Sequence, residues 1–233
     1  MENLHEPDSS YSQEMSRNPG TVDKDIADEF DDLACDFCDR YEKSGLTRSS
    51  KILLQYLLEE GLPGKTVLDL GCGTGSFTIE ALKEGAAQCV GVDLSPEMIR
   101  TANELATKSG LSDRVKFTLG DAASVQHPVS DAVVMDKVIC CYPEDEALLK
   151  NASQSSSNIL GFVVPRDEGL LKVPLRLGIG IVNLVEKLRK RKAPMYLHSL
   201  KKIDRLLKTA GFVQKRKTSS RFWLVFLYKR AKV

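Results

Sequence analysis

Thr66-Val67-Leu68-Asp69-Leu70-Gly71-Cys72-Gly73-Thr74-Gly75 is the stretch that decides the fold of this chain. A short apolar strand runs into an acidic residue and three glycines at alternate positions, and Ser76-Phe77-Thr78-Ile79-Glu80 then opens a helix. Glycines at a strand-to-helix turn let the backbone bend sharply and let a ligand approach the main chain without meeting a Cβ. A nucleotide or nucleoside site at the carboxyl end of a parallel sheet requires both. The spacing is Gly-x-Gly-x-Gly, with Ser76 standing where a dinucleotide fingerprint wants its third glycine. That glycine serves close helix–strand packing beneath a pyrophosphate, so its absence argues against a phosphate-bearing ligand.

Working outward, Gln88-Cys89-Val90-Gly91-Val92-Asp93 reads as a second buried strand ending in a carboxylate. Asp93 lies eighteen residues after Gly75, about where a strand-end acid grips a ribose. A carboxylate accepts two hydroxyl hydrogen bonds at once, which suits a vicinal diol. Ser95-Pro96-Glu97 is a helix start, with Ser95 as N-cap and Pro96 at the first helical position. Val115–Leu119 alternates as a strand, closed by Gly120-Asp121-Ala122, and Ser130–Asp136 is a nearly continuous apolar run. Such runs belong to sheets covered on both faces. A fifth strand is expected at Asn158–Val164 and a last helix at Ser199–Ala210, ended by Gly211. Phe212–Lys217 and Arg221–Lys229 follow as strands, with a turn at Thr218–Ser220. Alternating strands and helices predict a parallel, doubly wound α/β sheet.

The glycine turn and its context resemble motif I of the class I S-adenosylmethionine-dependent methyltransferases, whose ligand has no phosphate. The resemblance covers about Pro63 to Val233. It implies a Rossmann-like, doubly wound seven-stranded sheet with a C-terminal antiparallel hairpin, and S-adenosyl-L-methionine as cofactor. By the same resemblance Asp93 would hold the ribose, Met98 would pack on the adenine and Asp121 would bond its amino group. Gly71, Cys72, Gly73 and Gly75 would lie along the methionine portion, with Asp69 orienting its amino end. Leu94, Ala122 and Asp136, at the same strand ends, complete the expected cofactor contacts. Each has a plainer reading too: Asp69 and Asp93 as solvated loop acids, Met98 as core, Asp121 as a turn residue.

The chain divides into a leader (1–24) without apolar periodicity, expected to be disordered, an N-terminal helical cap (25–62) and a methyltransferase domain (63–233). In the cap Ile26, Phe30, Leu33 and Phe37 recur at helical spacing, as do Ile52, Leu53, Tyr56 and Leu57. An insertion after strand five (166–197) carries Leu177, Ile181, Leu184, Val185 and Leu188 on one helical face, widened by Leu175, Ile179 and Val182. It is expected to roof the substrate pocket or to pack on the sheet. The run Lys187-Leu188-Arg189-Lys190-Arg191-Lys192 closes it, which leaves a membrane-surface helix as a lower-ranked alternative.

The 233 residues are 42% hydrophobic and 28% charged, ordinary values for one globular α/β domain able to bury a large core. Nothing approaches a transmembrane run and the N-terminus is polar and acidic, so a cytoplasmic enzyme is expected. The six cysteines do not form a secreted framework, and Cys35-x-x-Cys38 has no second pair at zinc spacing; no metal is expected. Net charge of +1 hides an asymmetry: residues 1–45 carry thirteen acids against four bases, residues 186–233 two against sixteen. The basic end could draw an anionic substrate, an acidic partner, nucleic acid or a membrane, but reads first as solvated helix and edge-strand faces partly balanced by the acidic N-terminus.

Methyl transfer from a sulfonium is an in-line displacement, so positioning the acceptor is the main task, with a base needed only for protonated acceptors. Candidates are Asp136 and Tyr142 after the fourth strand and His198 before the last helix, each of which has an equally good structural reading. Cys140-Cys141-Tyr142-Pro143 departs from the Asn/Asp-Pro-Pro-aromatic motif of nucleic-acid amino-methylating enzymes, and no Pro-Cys nucleophile exists, so nucleic acid is disfavoured. Val138–Pro143 and Val164–Asp167 distantly resemble peptides of the magnesium-protoporphyrin O-methyltransferases. The adjacent thiols could serve a thiophilic acceptor, though buried packing is the simpler role. The expected function is methyl transfer to a small-molecule acceptor; the alternatives are a non-catalytic binding protein of this fold and, against Ser76, a nicotinamide-dependent oxidoreductase. Oligomeric state is not legible.

Overall fold

In the computed structural model, which describes residues 19–124, 126–143, 145–168, 172–188 and 195–231, the chain opens with two helices, α1 (Pro19–Ser44) and α2 (Arg48–Glu59). Strands and helices then alternate: β1 (Thr66–Leu70), α3 (Ser76–Lys83), β2 (Gln88–Asp93), α4 (Pro96–Lys108), β3 (Val115–Leu119) and β4 (Ser130–Asp136). After α5 (Asp145–Ser155) and β5 (Ser156–Pro165) come α6 (Lys172–Leu188), α7 (Leu200–Thr209), β6 (Phe212–Ser220) and β7 (Trp223–Arg230). The seven strands form one sheet in the order β3-β2-β1-β4-β5-β7-β6. The first five pair in parallel, and β7 enters antiparallel between β5 and β6, as the sequence predicts.

Period-two alternation sorts the strand side chains between two cores. Leu68, Leu70, Val133, Met135, Leu160, Phe162, Leu224 and Phe226 pack on one face beneath Leu148, Leu149 and Ala152 of α5 and Ile203 and Leu207 of α7. Val67, Ala132, Val134, Ile159, Val163, Val225 and Leu227 face the other way, against Leu53 and Leu57 of α2 and Phe77, Ala81 and Leu82 of α3. Covering both faces explains why these strands read as unbroken apolar runs.

Two expectations are adjusted. Helix α1 starts at Pro19, inside the leader expected to reach residue 24; residues 1–18 lie outside the described residues. The β6–β7 turn is not at Thr218–Ser220, which stay paired with β7, but at Arg221-Phe222. Arg221 takes φ 53°, a left-handed conformation without glycine, and a register shift between Gln214 and Arg216 lets the longer strand stay in phase. Basic side chains of the C-terminal strands pair with acids at the end of α2 and in the loop after β5. Arg216 pairs with Glu59 at 2.6 Å, Lys229 with Glu60 at 2.7 Å, and Lys217 with Glu168.

Candidate active site

The carboxyl ends of β1, β2, β3 and β4 gather the predicted residues along one edge of the sheet. Gly71 and Cys72 turn back to bond the Val92 carbonyl at 2.7 and 2.9 Å, which draws the glycine loop onto the end of β2. Gly71, Gly73 and Gly75 take φ of 71°, 53° and 73°. A Cβ at Gly71 would sit 2.5 Å from Val138 Cγ2, and one at Gly75 would sit 2.7 Å from the Phe117 ring. These two positions therefore exclude side chains twice over, by conformation and by space.

Asp69 and Asp93 stand on either side of this loop. Asp93 accepts from the Gly73 amide (2.8 Å) and the Ser95 amide (3.0 Å), clamping the loop to the start of α4. Burial pushes its carboxyl upward, against the pull of those amides. Asp69 is almost fully buried and accepts one bond, from the Thr78 hydroxyl of α3 at 2.6 Å; its Oδ1 has no partner. Burial first, and the nearby Asp136 and Asp93 charges next, raise it from 3.8 to about 7. An unpartnered buried carboxylate oxygen is costly unless something cationic or hydrogen-bonding meets it. With the side-chain-free cradle beside it, Asp69 fits the ammonium end of an amino-acid-bearing nucleoside. Met98 is fully buried at the head of α4, its sulfur 3.9 Å from where a Gly73 Cβ would lie. Cys72 is buried with its thiol toward the Gly73 carbonyl, and Leu94 packs at the edge of the α5/α7-side core.

Asp121 follows β3 and receives the Ala123 amide and the Tyr142 hydroxyl, both at 2.9 Å, while Ala122 is buried beside it. Burial, then the Asp121 charge, pushes the Tyr142 phenol well above its ordinary value. Tyr142 is thus a hydrogen-bond donor locked to the acid at the end of β3. His198 stands behind it, its Nε2 2.9 Å from the Tyr142 carbonyl oxygen and its Nδ1 3.7 Å from Asp145. A second tie, Tyr196 N–H to the Cys140 carbonyl at 2.8 Å, fixes the same crossing of segments. Both thiols of Cys140 and Cys141 point at the Lys137 carbonyl, at 3.4 and 3.5 Å.

Asp136 closes β4 and brings in residues the sequence did not mark. Lys137 adopts φ 66°, and its ammonium reaches Asp136 (2.9 Å), Ser50 (2.9 Å) and Thr47 (3.1 Å) while lying 5.6 Å from the Trp223 ring centroid. The Ser50 hydroxyl donates to the other Asp136 oxygen. Thr47 and Ser50 belong to the capped N-terminus of α2, so the helical cap closes over the end of β4. Asp31 of α1 plays a matching part on the other side, accepting from the Ser95 hydroxyl and from the Glu97 amide at 3.1 Å. A Ser or Thr at a helix start is a visible signal for Thr47; nothing local announces Ser50, Lys137 or Asp31.

The insertion helix α6 is tied down by polar residues. Arg176 makes a two-pronged ion pair with Asp167, both bonds 2.7 Å, and Asn183 exchanges bonds of 2.9 and 3.0 Å with the Met195 backbone. Leu177, Ile181, Val182 and Leu184 point outward, so the apolar face expected to roof a pocket or cover the sheet meets solvent. The Leu175 and Leu188 side chains and the run at 189–192 lie outside the described residues. Among the described residues no group of side chains suits a metal ion, and all six cysteines are unpaired.

The family description "Methyltransferase domain" matches residues 62–213. Among curated proteins, the ribosomal protein L11 methyltransferase of Escherichia coli is 41% identical over 76 residues, 33% of this chain and 26% of that protein. The chain therefore aligns with only about a quarter of the length of the curated relatives it matches. Among solved structures, magnesium protoporphyrin IX methyltransferase of Synechocystis PCC 6803 with bound S-adenosylhomocysteine superposes with TM-score 0.71 at 21% identity, over 90% of this chain and 100% of that one. A Haloferax volcanii methyltransferase, solved with the Trm112 methyltransferase activator, gives TM-score 0.67 at 18% identity over 89% and 98%. The chain belongs to the methyltransferase-domain family and carries the fold of the class I enzymes that use S-adenosylmethionine.

Proposed function

We propose that this protein transfers the methyl group of S-adenosylmethionine to a small-molecule acceptor held at the end of β4. One observation carries the reading: a buried carboxylate with an unpartnered oxygen, Asp69, set beside glycines whose geometry excludes side chains. Asp69 would hold the amino end of the cofactor, Asp93 the ribose and Met98 one face of the adenine. Asp121, braced by the Tyr142 hydroxyl, would read the adenine amino group. This moves Tyr142 from the acceptor side to the support of the cofactor side, and it makes His198 a positioning residue for the Tyr142 loop.

S-adenosylmethionine supplies a methyl already activated by a positive sulfur. The chain's own task is to hold an acceptor in line and to keep water out, which can contribute roughly 7–11 kcal/mol. Asp136, with one oxygen on Lys137 and the other on Ser50, is the group placed to receive a proton from a hydroxyl or amine acceptor. One of its two partners, Ser50, comes from α2, so the helical cap takes part in orienting the base. The six unpaired cysteines support a reducing, cytoplasmic workplace.

The test is incorporation of label from methyl-labelled S-adenosylmethionine into small-molecule, protein and RNA fractions of a cell extract. Label confined to the small-molecule fraction, and lost with Asp136→Asn, is expected. Label in protein or RNA would overturn the acceptor class, and retention in Asp136→Asn would remove the proposed base.

A further inference from the structure

Two cysteines stand side by side in the turn that follows β4. Cys140 is buried, Cys141 is half-buried, and both thiols are free. Neighbouring residues ordinarily send their side chains apart, to opposite faces of a strand or about 100° round a helix. Here they converge. Cys140 Sγ and Cys141 Sγ lie 3.4 and 3.5 Å from one acceptor, the Lys137 carbonyl, and within hydrogen-bond reach of each other. The cause is local. Lys137 leaves β4 with φ 66°, and Ile139–Cys141 then forms a short 3₁₀ turn that folds both thiols back over the Lys137 carbonyl.

This turn is fixed from several sides. The Lys137 amide donates to the Val163 carbonyl at 3.2 Å and the Cys141 amide to the Val138 carbonyl at 2.8 Å, while the Cys140 carbonyl receives the Tyr196 amide at 2.8 Å. His198 Nε2 lies 2.9 Å from the Tyr142 carbonyl. Val138, in the same turn, stands where a Gly71 side chain would be. A pair of thiols held in this way has little ordering left to lose when it binds something.

The chemistry of the pair narrows what that is. Two sulfurs select a soft centre over a hard, oxygen-seeking one. The bond with Cys140 first, then burial and the nearby Asp93 charge, push the Cys141 thiol well above its ordinary value. A soft divalent cation needs thiolates, and these thiols hold their protons. A trivalent arsenic hydroxide accepts protonated thiols. Two S–H and two As–O bonds break, two As–S bonds form and two waters leave, with arsenic still trivalent and the product uncharged. The third valence keeps its hydroxyl, so two protein donors suffice; among the described residues no group of three suits a metal ion.

We propose that Cys140 and Cys141 form a two-thiol binding site for trivalent arsenic of the arsenous-acid class. The site adjoins the cofactor edge through Val138 and Gly71, but binding there does not depend on the methyl-transfer reading above.

The test is titration of the reduced full chain with arsenous acid, in a Cys35→Ser, Cys38→Ser background that removes the other cysteine pair, with adducts read by native mass spectrometry. One arsenic per chain is expected, bound with loss of two waters and released by excess dithiothreitol. Cys141→Ser, at the half-buried position, should weaken binding by about a hundredfold or more, because the second sulfur no longer closes a ring on the arsenic. Cys140→Ser, checked for folding by circular dichroism, should do the same. No adduct, an adduct that keeps its waters, or an affinity indifferent to Cys141→Ser would overturn the proposal. Titration of the same chain with S-adenosylhomocysteine tests the cofactor reading separately, so failure of either one is distinguishable from failure of the other.

Discussion

The two halves of the sheet edge are built on different principles. The β1–β2 half is made of backbone: a side-chain-free loop, amides clamped by Asp93, and one buried acid with an oxygen to spare. The β4–β5 half is made of side chains, with Lys137 next in sequence to Asp136, Ser50 and Thr47 brought to it from α2, and α6 held by ion pair and amide. The first half has little freedom to vary, because side chains are excluded at Gly71 and Gly75. The second can be re-equipped without disturbing the fold, as expected where a family keeps its cofactor and changes its acceptor.

If that contrast is right, substitutions in the first half should damage folding or cofactor binding, and those in the second should spare both. The largest effect is expected from Gly71→Ala. A left-handed alanine costs about 1–2 kcal/mol and its Cβ collides with Val138, adding about 1–3 kcal/mol of overpacking. Urea unfolding should register the sum, and Val138→Ala in the same chain should recover the steric part alone. A stability unchanged by Gly71→Ala would mean the loop is not held as described.

Next in size is Asp93→Ala. Removing a charged acceptor costs about 1.5–3 kcal/mol for each bond lost, so S-adenosylhomocysteine affinity should fall at least tenfold in a variant that remains folded by circular dichroism. Unchanged affinity would show that Asp93 serves only the loop.

Asp69 sharpens the comparison through pH. Its folded-state carboxyl keeps a proton up to about 7, whereas the unfolded chain releases it near 3.8. Between these values the folded state binds more protons, so this group's contribution to stability is complete below pH 3.8 and is lost as pH rises through about 7. The slope attributable to Asp69 is at most about 1.4 kcal/mol per pH unit, and Asp69→Asn should flatten it in thermal unfolding of the ligand-free protein. Ligand should reverse the sense: binding a cation at Asp69 requires the ionised form, so affinity should rise from pH 6 to pH 8 in the parent and not in Asp69→Asn.

The smallest effect is Tyr142→Phe. Loss of one bond to Asp121 should cost about 1 kcal/mol in cofactor affinity and leave the pH dependence of turnover in place. A turnover profile that loses its basic limb would instead return Tyr142 to the acceptor as an acid–base group.

Legibility followed the same divide. The glycine turn, Asp93, the Ser95 cap and the inserted last strand could be read in advance because each depends on spacing within a few residues, or on an apolar run that only a doubly covered sheet explains. The Asp136 cluster could not, because its partners lie 86 to 90 residues away and Lys137 enters a left-handed conformation that glycine, not lysine, would have advertised. The hairpin turn was misplaced because the polar Thr218-Ser219-Ser220 looks like a loop, while pairing with buried Leu224 and Val225 holds it in the strand. For α6, periodicity found the apolar strip but not that Leu177, Ile181 and Leu184 are exposed.

The central claim is that the backbone half of the edge is a site for a sulfur nucleoside bearing an amino acid. Calorimetric titration of the purified chain with S-adenosylhomocysteine, with NADH as the control, tests it most directly. Micromolar binding of the former, weakened in Asp69→Asn, and none of the latter is the predicted result. Binding of NADH, or no binding of S-adenosylhomocysteine by a folded protein, would contradict it.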